Sequence, residues 1–240
     1  HDPLRRQRQM CIRDSCGAGQ YQSLTAKTSC LLATAGRYTA DENDEQVDSA
    51  ATKLLDCEAG SYSSGIVSAC SSADYGYYAI GTAQTEQIPC PSGRYTNMVG
   101  QTSCEEVAAG FYASPIGDSD GTGVASAAQD ATACPIGRYG ATAGATACEP
   151  CSSGYYAEFQ SQTVCQVVPA GKYPQNSANA ATNIAAVMVA SCASGYYSEE
   201  GWSNCVIAPA GSFAADTNGD ATDTAATQAP YCVAGRYSTY

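Results

Sequence analysis

The apolar positions of this chain recur in one short motif rather than in long runs. Gly-x-[Tyr/Phe] occurs twelve times, with aromatics Tyr21, Tyr38, Tyr62, Tyr78, Tyr95, Tyr112, Tyr139, Tyr156, Tyr173, Tyr197, Phe213 and Tyr237. Seven of the eleven steps between motif glycines are 16 or 17 residues. The other four are 24 to 27, the same unit with a loop inserted. A short fixed period of this kind predicts a repeated supersecondary unit. The units lie near 16–32, 33–56, 57–72, 73–89, 90–106, 107–133, 134–150, 151–167, 168–191, 192–207, 208–231 and a truncated 232–240.

Cysteines keep the same register. Cys16, Cys57, Cys90, Cys134, Cys151, Cys192 and Cys232 stand three residues before a motif glycine. Six of them have a second cysteine 13 or 14 residues on. In the other five units Ala33, Ala73, Val107, Val168 and Ala208 take the opening position. There Leu54, Gln87, Ala131, Val189 and Ala229 take the place of the closing cysteine. Both members of a pair are missing together, as removal of one bridge would require. The spacing therefore favours Cys16–Cys30, Cys57–Cys70, Cys90–Cys104, Cys134–Cys148, Cys151–Cys165 and Cys192–Cys205. Separation within pairs is nearly constant, against 3 to 30 residues between them. Other connectivities are open to a cysteine set of this size.

Each unit reads as a short hairpin. The motif glycine permits a backbone that a side chain would hinder. Gly65, Gly100, Gly144 and Gly201 mark turns,. Thr28, Ser68, Thr102, Thr146, Thr163 and Ser203 stand two before the closing cysteines, where a hydroxyl caps the turn or pairs across the hairpin,. A loop of this length closed by a disulfide gains about 3 kcal/mol in the chain-entropy treatment. Units without one must lean on their neighbours, as in a solenoid. Arg37, Arg94, Arg138, Lys172 and Arg236 fall inside the motif. One expectation is that each lies over the aromatic ring of an adjacent unit; the plainer one is a solubilising surface charge. The run 180–190 is Ala-rich and reads as a short helix or as a loop packed on the hairpins; an isolated helix of that length is marginal,.

Composition fits this picture. The chain has 240 residues, 14 cysteines, 3 Phe, 3 Met and 1 Trp, too little bulk for one large core,. The expected fold is mostly β, small and disulfide-rich: an elongated tandem array of short β-hairpin modules with little hydrophobic core. So many cysteines in such a chain point to an oxidising compartment, secreted or cell-surface. The net charge of −12 argues against nucleic acid as a partner,. No stretch of 18 apolar residues reads as a membrane span,.

Residues 1–15 stand apart. Residues 5–15, Arg-Arg-Gln-Arg-Gln-Met-Cys-Ile-Arg-Asp-Ser, resemble the translation of a transposase-type sequencing adapter. The alternative is a basic targeting arm. As an adapter the segment is non-native and set aside from fold reasoning. His1, the only histidine, is then lost with Cys11, leaving 7 basic against 21 acidic residues, a net −14. Cys232 is left without a partner, which is expected beyond Tyr240. The chain is then a fragment of something longer.

The stretch Cys134-Pro-Ile-Gly-Arg-Tyr139, followed by Thr146-Ala-Cys148-Glu-Pro-Cys151-Ser-Ser-Gly-Tyr-Tyr156, closely resembles the ephrin-receptor-like cysteine-rich repeat. That repeat belongs with the growth-factor-receptor cysteine-rich and TNF-receptor-like modules. The resemblance extends over about 16–240, with the full Cys-x2-Cys junction kept only at Cys148 and Cys151. It implies an extracellular, elongated, multi-repeat protein. Nothing of a kinase domain accompanies it.

Candidate chemistry is sparse. Cys148 and Cys151 have the spacing of a redox or zinc pair, but the repeat register assigns them to different bridges and no native histidine completes a zinc set. Asp216, Asn218, Asp220 and Asp223 resemble the start of a calcium loop, and Asp118 with Asp120 a weaker version. Neither has the bidentate glutamate of an EF-hand,. Asp41, Glu42, Asp44 and Glu45 form an acidic cluster. No Asn-x-Ser/Thr sequon occurs, while the Thr- and Ser-rich loops permit O-glycans,. No catalytic residue and no cofactor are expected. The expected function is that of a non-catalytic extracellular repeat region of a larger secreted or cell-surface protein. It would act as a spacer or as an adhesion module for protein or glycan partners, with weak Ca2+ binding as an option. The alternative is the ligand-binding ectodomain of a transmembrane signalling receptor. A catalytic domain outside this stretch is a third class.

Overall fold

A computed structural model describes residues 15–236. The adapter-like segment up to residue 14, with Cys11, lies outside the described residues, as does Tyr237. Among the described residues there is no helix. Twenty strands of two or four residues form ten two-stranded sheets, each joining consecutive strands. The result is a small, disulfide-rich, mostly β fold.

The hairpin register follows the motif. The aromatic pairs with the residue after the closing cysteine: Tyr21 with Leu31, Tyr62 with Ser71, Tyr139 with Glu149, Tyr156 with Gln166, Tyr197 with Val206. In units without cysteines Tyr38 pairs with Leu55, Tyr78 with Ile88 and Tyr173 with Ala190. Leu54, Gln87 and Val189 therefore occupy the place of the closing cysteine.

Sheets this small are marginal alone, and their open backbone groups are taken up by the next unit. The chain forms two compact bodies. One is the chain up to Glu105 with Ser126–Asp130. The other is Glu106–Ala125 with everything from Ala131 onward. The same ladder runs within each. The amide at the opening position donates to the carbonyl of the preceding motif glycine: Ala33 to Gly19, Cys57 to Gly36 and Cys90 to Gly76 in the first body; Cys134 to Gly110, Val168 to Gly154 and Cys232 to Gly211 in the second, at 2.7–2.9 Å. The carbonyl at the opening position accepts from a turn residue one unit ahead. Ala50 donates to Cys16, Ile66 to Ala33, Ala83 to Cys57, Ala185 to Cys151 and Ala225 to Cys192, at 2.8–3.0 Å. Two more bonds join the motif glycine and the residue after the aromatic to the following unit, as in Gly137 to Ala157 and Ala157 to Ala186, both from N–H to carbonyl.

The turn residue stands four residues before the closing position in the described units and has positive φ. Glycine supplies it at Gly100, Gly144 and Gly201. Ala26, Ala50, Ile66, Ala83, Ala127, Ser161, Ala185 and Ala225 adopt it at φ 52–61°. In the third unit the donor is Ile66, the residue after the expected turn glycine Gly65. An L-residue there costs about 1–2 kcal/mol, which the bond to the preceding unit must offset.

Units two apart also meet. A Cβ on Gly154 would overlap the carbonyl of Gly201, and one on Gly60 that of Gly100. Glycine is thus required twice over, by φ and by close approach.

The core is made of small residues. Apart from Cys232, the described opening positions are buried whether cysteine or not: Cys57, Ala73, Cys90, Val107, Cys134 and Val168 are all at 0% exposure. The residue after the aromatic is buried too, as Thr39, Ser63, Ala79, Ala157 and Ser198. In the Ala-rich run 180–190, the helix option is not taken. Ala181 bridges Gln175, Ala186 bridges Tyr156, and Met188–Ser191 forms a strand. The ladder claims these backbone groups before a helix can.

Gly154→Ala and Gly195→Ala separate the two demands on glycine. Both have φ near 80°, but a Cβ on Gly195 meets nothing within 4 Å. Gly195→Ala should cost the left-handed penalty of about 1–2 kcal/mol. Gly154→Ala should cost more, seen as a lower thermal midpoint by circular dichroism. Equal midpoints would refute the close approach.

Candidate functional site

The cysteines pair as Cys16–Cys30, Cys57–Cys70, Cys90–Cys104, Cys134–Cys148, Cys151–Cys165 and Cys192–Cys205, with Cα–Cα distances of 5.6–5.8 Å. These coincide with the pairs that the spacing favoured, and the distances are ordinary for cystine. Cys148 and Cys151 are bonded to different partners, so the Cys-x2-Cys spacing is not a dithiol centre here. Cys232 is a free thiol among the described residues. Where a bridge is missing in the fourth unit, side chains hold the hairpin: the Asp74 amide donates to Gln87 Oε1 at 2.7 Å, and Gln87 Nε2 to Asp74 Oδ2 at 2.9 Å.

The motif aromatics are half-buried at Tyr21, Tyr38, Tyr62, Tyr78, Tyr95, Tyr139, Tyr156, Tyr173, Tyr197 and Phe213, whereas Tyr112 is fully buried. Of the two readings of the motif cations, ring stacking and surface charge, the structure shows at three of the four arginines bonds inside their own hairpins. Arg37 Nε pairs with Asp56 Oδ1 at 2.7 Å. Arg94 and Arg138 each donate from Nη1 to the carbonyl of their own closing cysteine, Cys104 at 3.3 Å and Cys148 at 2.9 Å. The guanidinium reaches across one hairpin more readily than to the next. Rings meet at Tyr197 and Trp202, 5.7 Å apart.

Two phenols carry a carboxylate partner. Tyr95 donates to Glu105 Oε2 at 3.2 Å and Tyr139 to Glu149 Oε2 at 3.1 Å. Burial first, then the Glu105 bond, pushes the Tyr95 phenol above its ordinary value; at Tyr139 the Glu149 bond does so. Burial also raises Tyr112, whose hydroxyl accepts the Gly121 amide at 3.1 Å. The Asp118–Asp120 segment is therefore a loop folded onto Tyr112.

The other acidic loops share one geometry. Asp216 Oδ1 accepts the amides of Asn218 and Asp220 at 2.9 and 3.0 Å. Asp41 Oδ1 does the same for Asn43 and Glu45, at 2.8 and 2.9 Å, which holds its carboxyl below the usual range, the Glu45 amide contributing most. Asn176, a neutral amide, repeats the pattern with Ala178 and Ala180. The shared role is closure of an inserted loop by an Asx turn, which asks only for an acceptor oxygen. The structure does not gather Asp216, Asn218, Asp220 and Asp223 into a metal cluster: among the described residues no group of three His, Cys, Asp or Glu is placed to hold an ion. No described helix is long and apolar enough to cross a membrane.

The hydroxyls before the closing cysteines are not the caps they were expected to be. The capping hydroxyl sits after the aromatic: Ser63 Oγ donates to Arg37 O at 3.1 Å and accepts the Gly65 amide, and Ser198 Oγ donates to Lys172 O at 2.8 Å. The signal was visible as a run of small residues after the aromatic: Thr39, Ser63, Ala79, Thr96, Ala113, Gly140, Ala157, Pro174, Ser198 and Ala214.

Two shallow hollows, about 270 and 380 Å³, flank Tyr196. The disulfides, hairpins and small-residue core are those of a cysteine-rich repeat module. No known family model matches the sequence, and no curated protein does.

Two measurements test this site. Asp216→Asn keeps the acceptor and should leave stability unchanged, whereas Asp216→Ala should cost about 0.5–2 kcal/mol, the scale of a lost side-chain cap. Equal loss in both would favour charge or metal over the turn. In an alkaline titration followed at 295 nm, Tyr95, Tyr112 and Tyr139 should ionise above the ordinary value of a free phenol,. Because their folded values are raised, the stability they contribute is present below about pH 10 and lost as pH rises through the folded value.

Proposed function

We propose that this chain is a non-catalytic extracellular repeat region, part of a larger secreted or cell-surface protein, acting as a spacer or adhesion module. Six cystines carry this reading, because disulfides in such number persist in oxidising compartments and are rare where thiols are kept reduced,. The resemblance of Cys134–Tyr156 to ephrin-receptor-like repeats supports the same compartment and fits a multi-repeat surface protein. The backbone is consumed in holding units together, the bridged cysteines are committed, and function falls to side chains on the outer faces and inserted loops. Partners are proteins or glycans at the cell surface.

The full chain secreted from a eukaryotic host should carry six disulfides and resist protease. The reduced and alkylated chain should be digested at least tenfold faster, since each bridge removes about 3 kcal/mol of unfolded-state freedom. Equal resistance without the bridges would remove the reason for an oxidising compartment.

A further inference from the structure

Within the second body the tenth and eleventh units enclose the larger hollow, about 380 Å³, at the lower end of the roughly 300–1,000 Å³ of small-ligand sites,. Its lining residues include Tyr196, Ile207 and Phe213, together with Ser194, Ser212 and Thr222. Apart from the Tyr196 phenol, no lining side chain titrates.

Three features bear on what it could hold. Phe213 is the one motif aromatic that is not tyrosine, so this wall has no hydroxyl of its own. Ser212 holds the middle motif position, where the second body elsewhere has Phe111, Arg138, Tyr155, Lys172, Tyr196 and Arg236, and the short side chain leaves room. The Ser212 hydroxyl is also buried, at 3% residue exposure, with no hydrogen-bond partner. A buried hydroxyl without a partner costs about 1–3 kcal/mol and calls for an explanation.

We propose that the hollow between Tyr196 and Phe213 binds one neutral hexopyranose unit of a glycan. This rests on the reading of the chain as an extracellular binding module. A pyranose presents C–H groups on its faces and hydroxyls around its rim. Aromatic walls suit the first. The hydroxyls of Ser194, Thr222 and, after rotation of its side chain, Ser212 suit the second. Thr222 Oγ1 already donates to Thr224 O at 2.9 Å, leaving it free to accept. The ligand is neutral because the hollow offers no cation and because Asp216, Asp220 and Asp223 occupy the loop that contributes Thr222. Anionic sugars meet repulsion there, in a chain of net charge −12,.

The test is calorimetric titration of the oxidised full chain with mannohexaose, maltohexaose and N-acetylchitohexaose. The expected result is saturable binding of at least one of them, in the micromolar to millimolar range. Tyr196→Ala, at an exposed position, and Ala221→Arg, at the exposed rim, should each weaken it at least tenfold. Tyr155→Ala, the equivalent exposed tyrosine of the eighth unit, should leave it unchanged. Six disulfides and an unaltered circular dichroism spectrum in each variant show that folding is retained. No saturation with any of the three would overturn the proposal. So would equal weakening by Tyr155→Ala, tighter binding of heparin, or full competition by N-acetylphenylalaninamide, which would mark a peptide side-chain pocket. Beads coated with the chain and laid on cultured cells keep the two readings apart. Retention that Tyr196→Ala does not change, together with no sugar binding, overturns the pocket alone. Sugar binding without retention overturns the adhesive reading alone.

Discussion

Within each of the two bodies the amide at an opening position donates to the carbonyl of the motif glycine one unit back, and the rest of the fold depends on that bond. It fixes where one hairpin begins relative to the last. The opening carbonyl is then aimed at the turn of the following unit, and the turn must become left-handed to reach it. That is why Ile66 and Ala83 accept φ of 54 and 56°, which their side chains disfavour,. It is also why Gly154 stays glycine: the turn of the unit after next lies against it.

The bond count explains how units survive without disulfides. Four backbone bonds join a unit to the next, each contributing a net 0.5–1.5 kcal/mol or so, roughly 2–6 kcal/mol per step. A cystine across a hairpin contributes about 3 kcal/mol. The two are of one size, so a unit can lose its bridge if both neighbours remain. Ala73 and Val168 then fill the buried space that a cysteine fills elsewhere, and Gln87 with Asp74 ties one such hairpin by side chains. Stability is shared along the chain, as expected of nearest-neighbour arrays.

The cysteine spacing, the motif glycines and the paired vacancies at Ala73 and Gln87 were legible in the sequence, because a fixed period exposes whatever every unit must repeat. The turn donor was harder to see. Its requirement is a backbone conformation, and alanine, isoleucine, serine and glycine all satisfy it. The partners of the arginines were not legible: a cation next to an aromatic suggests stacking or a solvated charge, and Arg94 and Arg138 find a carbonyl within their own hairpin. The segment from Asp216 to Asp223 resembles the start of a calcium loop because oxygens at alternate residues serve a cation and an Asx turn equally well. Asn176 makes the same turn with no charge, so the turn itself asks only for an acceptor oxygen.

Insertions fall at one place in the unit, between the residue after the aromatic and the left-handed turn. In the units of Asp41, Asn176 and Asp216 the inserted segment closes on itself through an Asx turn and returns to the ladder with the turn donor still four residues before the closing position. Loop-closure cost grows only slowly with length, so such loops can lengthen or change without disturbing the hairpins. The Tyr196 hollow arises where an inserted loop of this kind, carrying Ala221 and Thr222, folds back beside the middle motif position and meets a serine rather than a long side chain. Concavity in such an array is local: one short residue in the motif beside one inserted loop suffices, and the ladder that holds the units need not change for a surface to acquire a site.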